Sequence, residues 1–171
     1  AAGFHSTAII LLPFYFIAHK NIKRSSYIVL LLLGIFMTNF NWLRGNINII
    51  ERILFFELPY IDSRYGNPIN SILSFQYLRR ILPALLIIIS YNTLRKEHKY
   101  YGISANLYIA GTFLSLVFHE VSIYVERLFV PLLFMEILIL GFFIDYFKNK
   151  YNKLFYKFVL IVYGTLYFAN L

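Results

Sequence analysis

The sequence predicts an all-α fold: a polytopic membrane bundle of about six transmembrane helices, with a further helix lying at the external interface. Three observations predict it. The chain is 60% hydrophobic and only 14% charged over 171 residues, where a soluble domain carries about 25% charged residues; so few charges cannot furnish a surface in water. Its apolar residues fall in long runs such as 27–40 and 128–143, the form expected of helices that cross an apolar layer of about 30 Å with roughly 20 residues each. Alternation over about 10 residues, the mark of a membrane β-barrel strand, is missing. Lastly, every lysine falls in one of three short basic stretches.

The apolar segments are expected at 4–19, 27–43, 75–94, 103–119, 127–147 and 158–171. Tyr27 and Trp42 stand near the ends of the second, where aromatic rings favour the interface. The basic stretches 20–24, 95–99 and 148–157 come after the first, third and fifth segments. Alternating topology therefore puts all three on one side, which the positive-inside rule makes cytoplasmic. The opposite side receives Arg44, Arg52, Arg64, Arg79, Arg80 and Arg127 and no lysine. The external connection 44–74 contains an apolar stretch with interspersed charges, 47–58, that suits a helix lying in the headgroup region. Pro59 would end it, and Gly66 and Asn67-Pro68 are turn signals in the irregular chain beyond. A connection of this length is expected to be functional. The whole of 1–171 reads as a single transmembrane domain, expected to be the C-terminal part of a longer polytopic protein.

No cysteine is present, which excludes a disulfide framework or a cysteine metal site. No metal-ligand spacing, phosphate-binding glycine loop or nucleophile elbow occurs, so no metal or cofactor is expected. A pI near 9.6 fits anchoring on anionic membrane lipid rather than nucleic acid.

The external arginines carry the strongest chemical signal. A guanidinium donates two parallel hydrogen bonds to phosphate oxygens and stays charged when partly desolvated. Arg79 and Arg80 stand about one turn inside an apolar segment, where an ionisable group suggests a functional site; the bland alternative is an arginine that snorkels to the interface. Arg64, beside Tyr65 in the external loop, is a further candidate, while Arg44 and Arg52 read as interface anchors. A second constellation runs from His119 and Glu120 to Glu126 and Arg127. There a histidine or glutamate beside an arginine suits a general base on a sugar hydroxyl, with the arginine holding a leaving phosphate. His5 opens the first segment near the external face and is a third candidate base. Glu136 lies mid-segment, is expensive in lipid, and is expected to face the bundle and pair with a buried arginine or tyrosine.

Gly3-Phe4-His5-Ser6-Thr7-Ala8, continuing to Pro13, resembles the FH-S/T-A start of a late helix in the EpsG family, multi-pass proteins related to the Wzy polysaccharide polymerases. Tyr60-Ile61-Asp62-Ser63-Arg64-Tyr65, its spacing to Arg79-Arg80, and Glu126-Arg127-Leu128 are similar to that family's tyrosine-bearing loop and arginine-led segments. The match is to the family's C-terminal half; its N-terminal acidic and tyrosine motifs do not occur here. The resemblance implies polymerisation of lipid-linked oligosaccharide repeat units in exopolysaccharide, capsule or O-antigen assembly. It implies a bacterial cytoplasmic (inner) membrane location, a glycan on undecaprenyl pyrophosphate as donor, no nucleotide sugar, and a chain-length regulator and a flippase as partners. In that reading His5, His119 and Glu120 are the catalytic candidates, and Arg64, Tyr65, Arg79, Arg80, Glu126 and Arg127 hold pyrophosphate and glycan. Two other classes compete: a transporter or flippase of lipid-linked sugars, and a membrane O-acyltransferase using His5 or His119. If the arginines serve the pyrophosphate, Arg79→Ala, Arg80→Ala and Arg127→Ala abolish long polymer while single lipid-linked units persist. Unchanged polymer in all three variants would sink this reading.

Overall fold

Local sequence pattern builds helices throughout the computed structural model, which describes residues 13–38, 75–119 and 129–169. The helices are α1 (the described part, 13–18), α2 (Arg24–Thr38), α3 (Phe75–Glu97), α4 (Tyr101–Val117), α5 (Val130–Leu133), α6 (Met135–Tyr146) and α7 (Lys150–Ala169). The expected interfacial helix 47–58 and the loop 44–74 lie outside the described residues. Among the described residues no helix is long and apolar enough to cross a membrane. For instance, α2 has 15 residues, α4 17 and α6 12, against the roughly 20 a span requires.

Alternating direction is set by the pairs that meet. Tyr27 meets Asn106, and Gly34 lies against Leu116, so α2 and α4 run the same way. Tyr101 meets Ile87 and Ser90, whereas Tyr108 meets Arg80, so α3 runs against α4. Gly111 lies against Leu132, and Tyr108 meets Glu136, which sets α5 and α6 against α4 as well. α7 then returns along α6, with Tyr156 near Leu140 and Tyr163 at Glu136.

Three short connections therefore gather at one end. The Tyr91 hydroxyl and the Arg95 guanidinium both donate to the Ile22 carbonyl, tying the α1–α2 turn to the end of α3. His98 Nε2 lies 3.4 Å from Asp145 Oδ2, and Lys153 Nζ 3.4 Å from Asp145 Oδ1, which ties the α3–α4 turn to the α6–α7 turn. At this end Tyr101 donates to Ser90 Oγ at 2.8 Å, while Ser90 donates to the Leu86 carbonyl at 2.7 Å. Burial pushes the Tyr101 phenol up to about 12, so it stays protonated as the donor.

α4 is the central helix and packs against α2, α3, α5 and α6. Its inward positions keep helical spacing, with Tyr101, Ala105, Tyr108, Thr112 and Ser115 all buried. Small residues permit close approach: a Cβ placed on Gly111 would stand 2.8 Å from Leu132 Cβ, inside van der Waals contact. On α3 the matching inward stripe is Arg80, Ala84, Ile87, Tyr91 and Leu94, all buried. Leu82, Leu85 and Ile89 on the same helix are exposed.

Several boundaries differ from expectation: α2 starts at Arg24 and α3 runs on to Glu97, each inside a basic stretch. The basic stretch 148–157 is not a loop beyond its first two residues, because α7 starts at Lys150. Asn149 explains the early start: its side-chain oxygen accepts the Tyr151 amide at 2.9 Å and caps the helix, and lysine is a good helix former. The expected fifth segment is broken at Phe134. That residue keeps helical dihedrals (φ −59°, ψ −20°), and its carbonyl accepts the Ile137 amide at 3.2 Å, a tighter i to i+3 step of the kind common where helices join.

Asn106, deep in α4, holds the α1–α2 turn. Its Nδ2 donates to the carbonyls of Ile17 (3.1 Å), Ala18 (2.8 Å) and Lys20 (2.8 Å), and its Oδ1 accepts from the Tyr27 hydroxyl. Replacing it with leucine removes the donor to the Ala18 carbonyl and the acceptor of the Tyr27 hydroxyl, each loss costing about 1–3 kcal/mol, and weakens the contacts to Ile17 and Lys20, which keep the amides of Lys20 and Ile22. Asn106→Leu is therefore expected to destabilise the protein by about 3 kcal/mol or more, read as a lowered unfolding midpoint of the purified protein. Gly111→Val, which overpacks against Leu132, should cost about 1–3 kcal/mol. Wild-type midpoints for both would contradict the packing described.

Candidate functional site

Four helices bring polar side chains to one place inside the bundle. Arg80, the first residue of the α3 inward stripe, is 6% exposed. Pro83 comes within one turn, and having no N–H it leaves the Arg79 carbonyl without its usual intrahelical donor. The next carbonyl, that of Arg80, accepts from the Tyr108 hydroxyl at 3.0 Å. The same hydroxyl lies 3.5 Å from Glu136 Oε2. The other carboxylate oxygen, Oε1, accepts from the Tyr163 hydroxyl. Each oxygen of Glu136 thus has a phenol beside it, one from α4 and one from α7.

The placement of Glu136 is a matter of register. It shares a stripe on α6 with the buried Ile139 and Phe143, so the carboxylate turns inward while Ile137 and Leu138 are exposed. Tyr163 stands seven residues after Tyr156, on the same α7 face. Tyr156 packs against Phe143 with ring centroids 5.2 Å apart, which fixes that face against α6.

His119 stands just past the end of α4 and is buried. Its Nδ1 lies 3.0 Å from the Leu116 carbonyl. A carbonyl only accepts, so Nδ1 is the nitrogen that donates there. Along the helix it is about 16 Å beyond Tyr108 at the rise of an α-helix. Tyr108, the eighth of the 17 residues of α4, is thus near mid-helix, while His119 lies at the end remote from the three short connections.

Of the other sequence candidates, Arg79 is in α3. His5, Arg64, Tyr65, Glu120, Glu126 and Arg127 lie outside the described residues. Glu136 meets tyrosines, one of the two partners expected for it. Tyr108 and Tyr163 are functional candidates that sequence reasoning misses. Their signal is a tyrosine inside an apolar segment at helical register with other inward positions, which reads equally as core packing. Among the described residues, no group of three or more His, Asp or Glu side chains is placed to hold a metal ion.

Such features define a class: an all-helical bundle protein whose interior carries an arginine, a carboxylate and hydrogen-bonded phenols. The model of the EpsG family matches residues 1–171. The chain belongs to that family, which is a Wzy-like polysaccharide polymerase family. No curated protein and no solved structure matches the chain.

The phenols around Glu136 make a stability test possible. Glu136→Gln keeps an acceptor oxygen and is expected to cost about 1 kcal/mol or less, whereas Glu136→Leu removes the carboxylate from the Tyr163 hydroxyl and leaves Tyr108 its bond to the Arg80 carbonyl, and should cost about 1–3 kcal/mol. Equal unfolding midpoints for the two variants would mean that the phenols do not depend on the carboxyl group.

Proposed function

We propose that this protein polymerises oligosaccharide repeat units carried on undecaprenyl pyrophosphate, at the external face of the bacterial cytoplasmic membrane. Family membership along the whole chain supports a role in polysaccharide biosynthesis. The observation that carries the finer reading is Arg80: a charged residue 6% exposed, among mostly apolar inward positions of α3. A buried arginine is costly unless its charge serves a purpose, and pyrophosphate oxygens match its fork.

A membrane setting draws support from how apolar residues are distributed. Phe155 is 70% exposed and Ile137 69%, while Asn106, Ser104, Thr112 and Ser115 are buried. Apolar outside and polar inside is the arrangement that lipid favours. The lysine-bearing connections gathered at one end suit the cytoplasmic side, which leaves Arg80 and His119 toward the other.

In the reaction, a hydroxyl oxygen of one lipid-linked unit forms a bond to the anomeric carbon of the second glycan. The bond from that carbon to the pyrophosphate oxygen breaks, and undecaprenyl pyrophosphate leaves with the electron pair. Arg80, together with Arg79, Arg64 and Arg127, stabilises the charge that develops on the leaving pyrophosphate. The proton of the attacking hydroxyl passes to a base, for which His119 Nε2, His5 and Glu120 are the candidates. Tyr65 and Glu126 contact the glycan. No metal or cofactor enters the step.

The test is the polysaccharide length profile of a strain lacking the full-length gene. Single repeat units in place of long chains are expected, restored by wild type and not by Arg80→Ala or Arg127→Ala. Normal chain length in the deletion strain would refute polymerisation; accumulation of lipid-linked units on the cytoplasmic side would point to a transporter.

A further inference from the structure

We infer that Glu136, Tyr108 and Tyr163 form a positioning set that fixes Arg80 for the pyrophosphate of the lipid-linked donor. The inference rests on the polymerase reading and assigns to that site three residues from three other helices.

Arg80 sets the requirements. A guanidinium inside an apolar bundle needs a countercharge and a fixed backbone if it is to present its fork without reorganising when the anion arrives. Tyr108 addresses the backbone: its hydroxyl donates to the Arg80 carbonyl at 3.0 Å, at the turn that Pro83 deprives of one ladder donor. The hydroxyl of Tyr108 also lies 3.5 Å from Glu136 Oε2, so the peptide of Arg80 and the carboxylate share one phenol. Glu136 supplies the countercharge, its Oε2 and the Arg80 carbonyl both lying within reach of the one Tyr108 hydroxyl. Tyr163 holds the second carboxylate oxygen from α7, which restricts rotation of the carboxylate. A buried carboxylate needs hydrogen bonds wherever it stands, but an apolar residue of similar volume often stabilises a bundle as well, so keeping the charge here points to its use. The arrangement is instead that of a prepared cation: a backbone held by α4, with a negative charge oriented by α4 and α7.

The set predicts effects on donor binding rather than on fold. The purified full-length protein is titrated with undecaprenyl pyrophosphate as wild type, Arg80→Lys, Glu136→Gln, Tyr108→Phe, and the double variant Arg80→Lys/Glu136→Gln. Each single variant should weaken binding about tenfold, and the double should bind within about twofold of Arg80→Lys alone, because residues acting through one group are not additive. In turnover with lipid-linked units, the Michaelis constant for the donor should rise in Glu136→Gln and Tyr108→Phe while that for the acceptor stays put. A merely structural role would lower the active fraction and leave both constants unchanged.

Wild-type binding in Glu136→Gln and Tyr108→Phe, or a double variant whose losses multiply, would overturn the inference. Should Glu136→Gln not fold, Tyr108→Phe and Tyr163→Phe, each removing one hydroxyl, carry the same expectation and the same refutation. If Arg80→Lys weakens binding and the other variants do not, the polymerase reading stands and the positioning set falls. If the wild type does not bind undecaprenyl pyrophosphate, both fall.

Discussion

Asn106 commits its side-chain amide to the turn between α1 and α2, and the bundle is organised around that commitment. The last carbonyls of a helix have no partners within it. In α1 the Ala18 carbonyl is met by a side chain from α4, which also reaches the carbonyls of Ile17 and Lys20 beside the local amides of Lys20 and Ile22. Tyr27 closes the arrangement by donating to the amide oxygen. Because this cap comes from elsewhere in the chain, the α1–α2 turn is positioned only when α4 is in place. Tyr91 and Arg95, donating to Ile22, extend the same end into α3. His98 and Asp145 extend it into α6. Charge and hydrogen bonding thus concentrate where the short connections meet.

The other half of the bundle is held differently. Its contacts are close approaches of small residues, as at Gly111 against Leu132, and a polar cluster in which Arg80, Tyr108, Glu136 and Tyr163 come from α3, α4, α6 and α7. A polar interior of this kind is demanding, since each partner left without its hydrogen bond costs more than an apolar replacement would. Retaining it is consistent with a chemical task. Packing at the basic connections fixes helix directions at one end, while the turn of α3 that bears Arg79 and Arg80 lies toward the other. Pro83 lies between the two regimes on α3.

Much of this fold is legible in the sequence, and the reason is periodicity. Apolar runs of the right length locate the helices, and lysines locate the connections, because both signals are local and repeat many times. The inward register of Arg80 is also readable, since it shares the spacing of Ala84, Ile87, Tyr91 and Leu94. So is the inward turn of Glu136, because an ionised group in an apolar run has few places to go. Boundaries are less legible: Asn149 starts α7 within a basic stretch that resembles a loop, and the break falls at a phenylalanine, Phe134, a residue type that announces nothing.

By itself, then, the sequence determined an all-helical chain with alternating connections, its family, and the residue types able to hold a pyrophosphate, because hydrophobic periodicity, charge placement and short motifs are properties of neighbours along the chain. Only the tertiary structure decided which polar side chains meet. Asn106 and Ile17 are 89 residues apart, and Tyr27 and Asn106 are 79 apart; Tyr108 lies 28 residues from both Arg80 and Glu136. No local pattern encodes such pairs. They depend on which face of each helix its neighbours cover, and that is settled by packing the whole bundle at once.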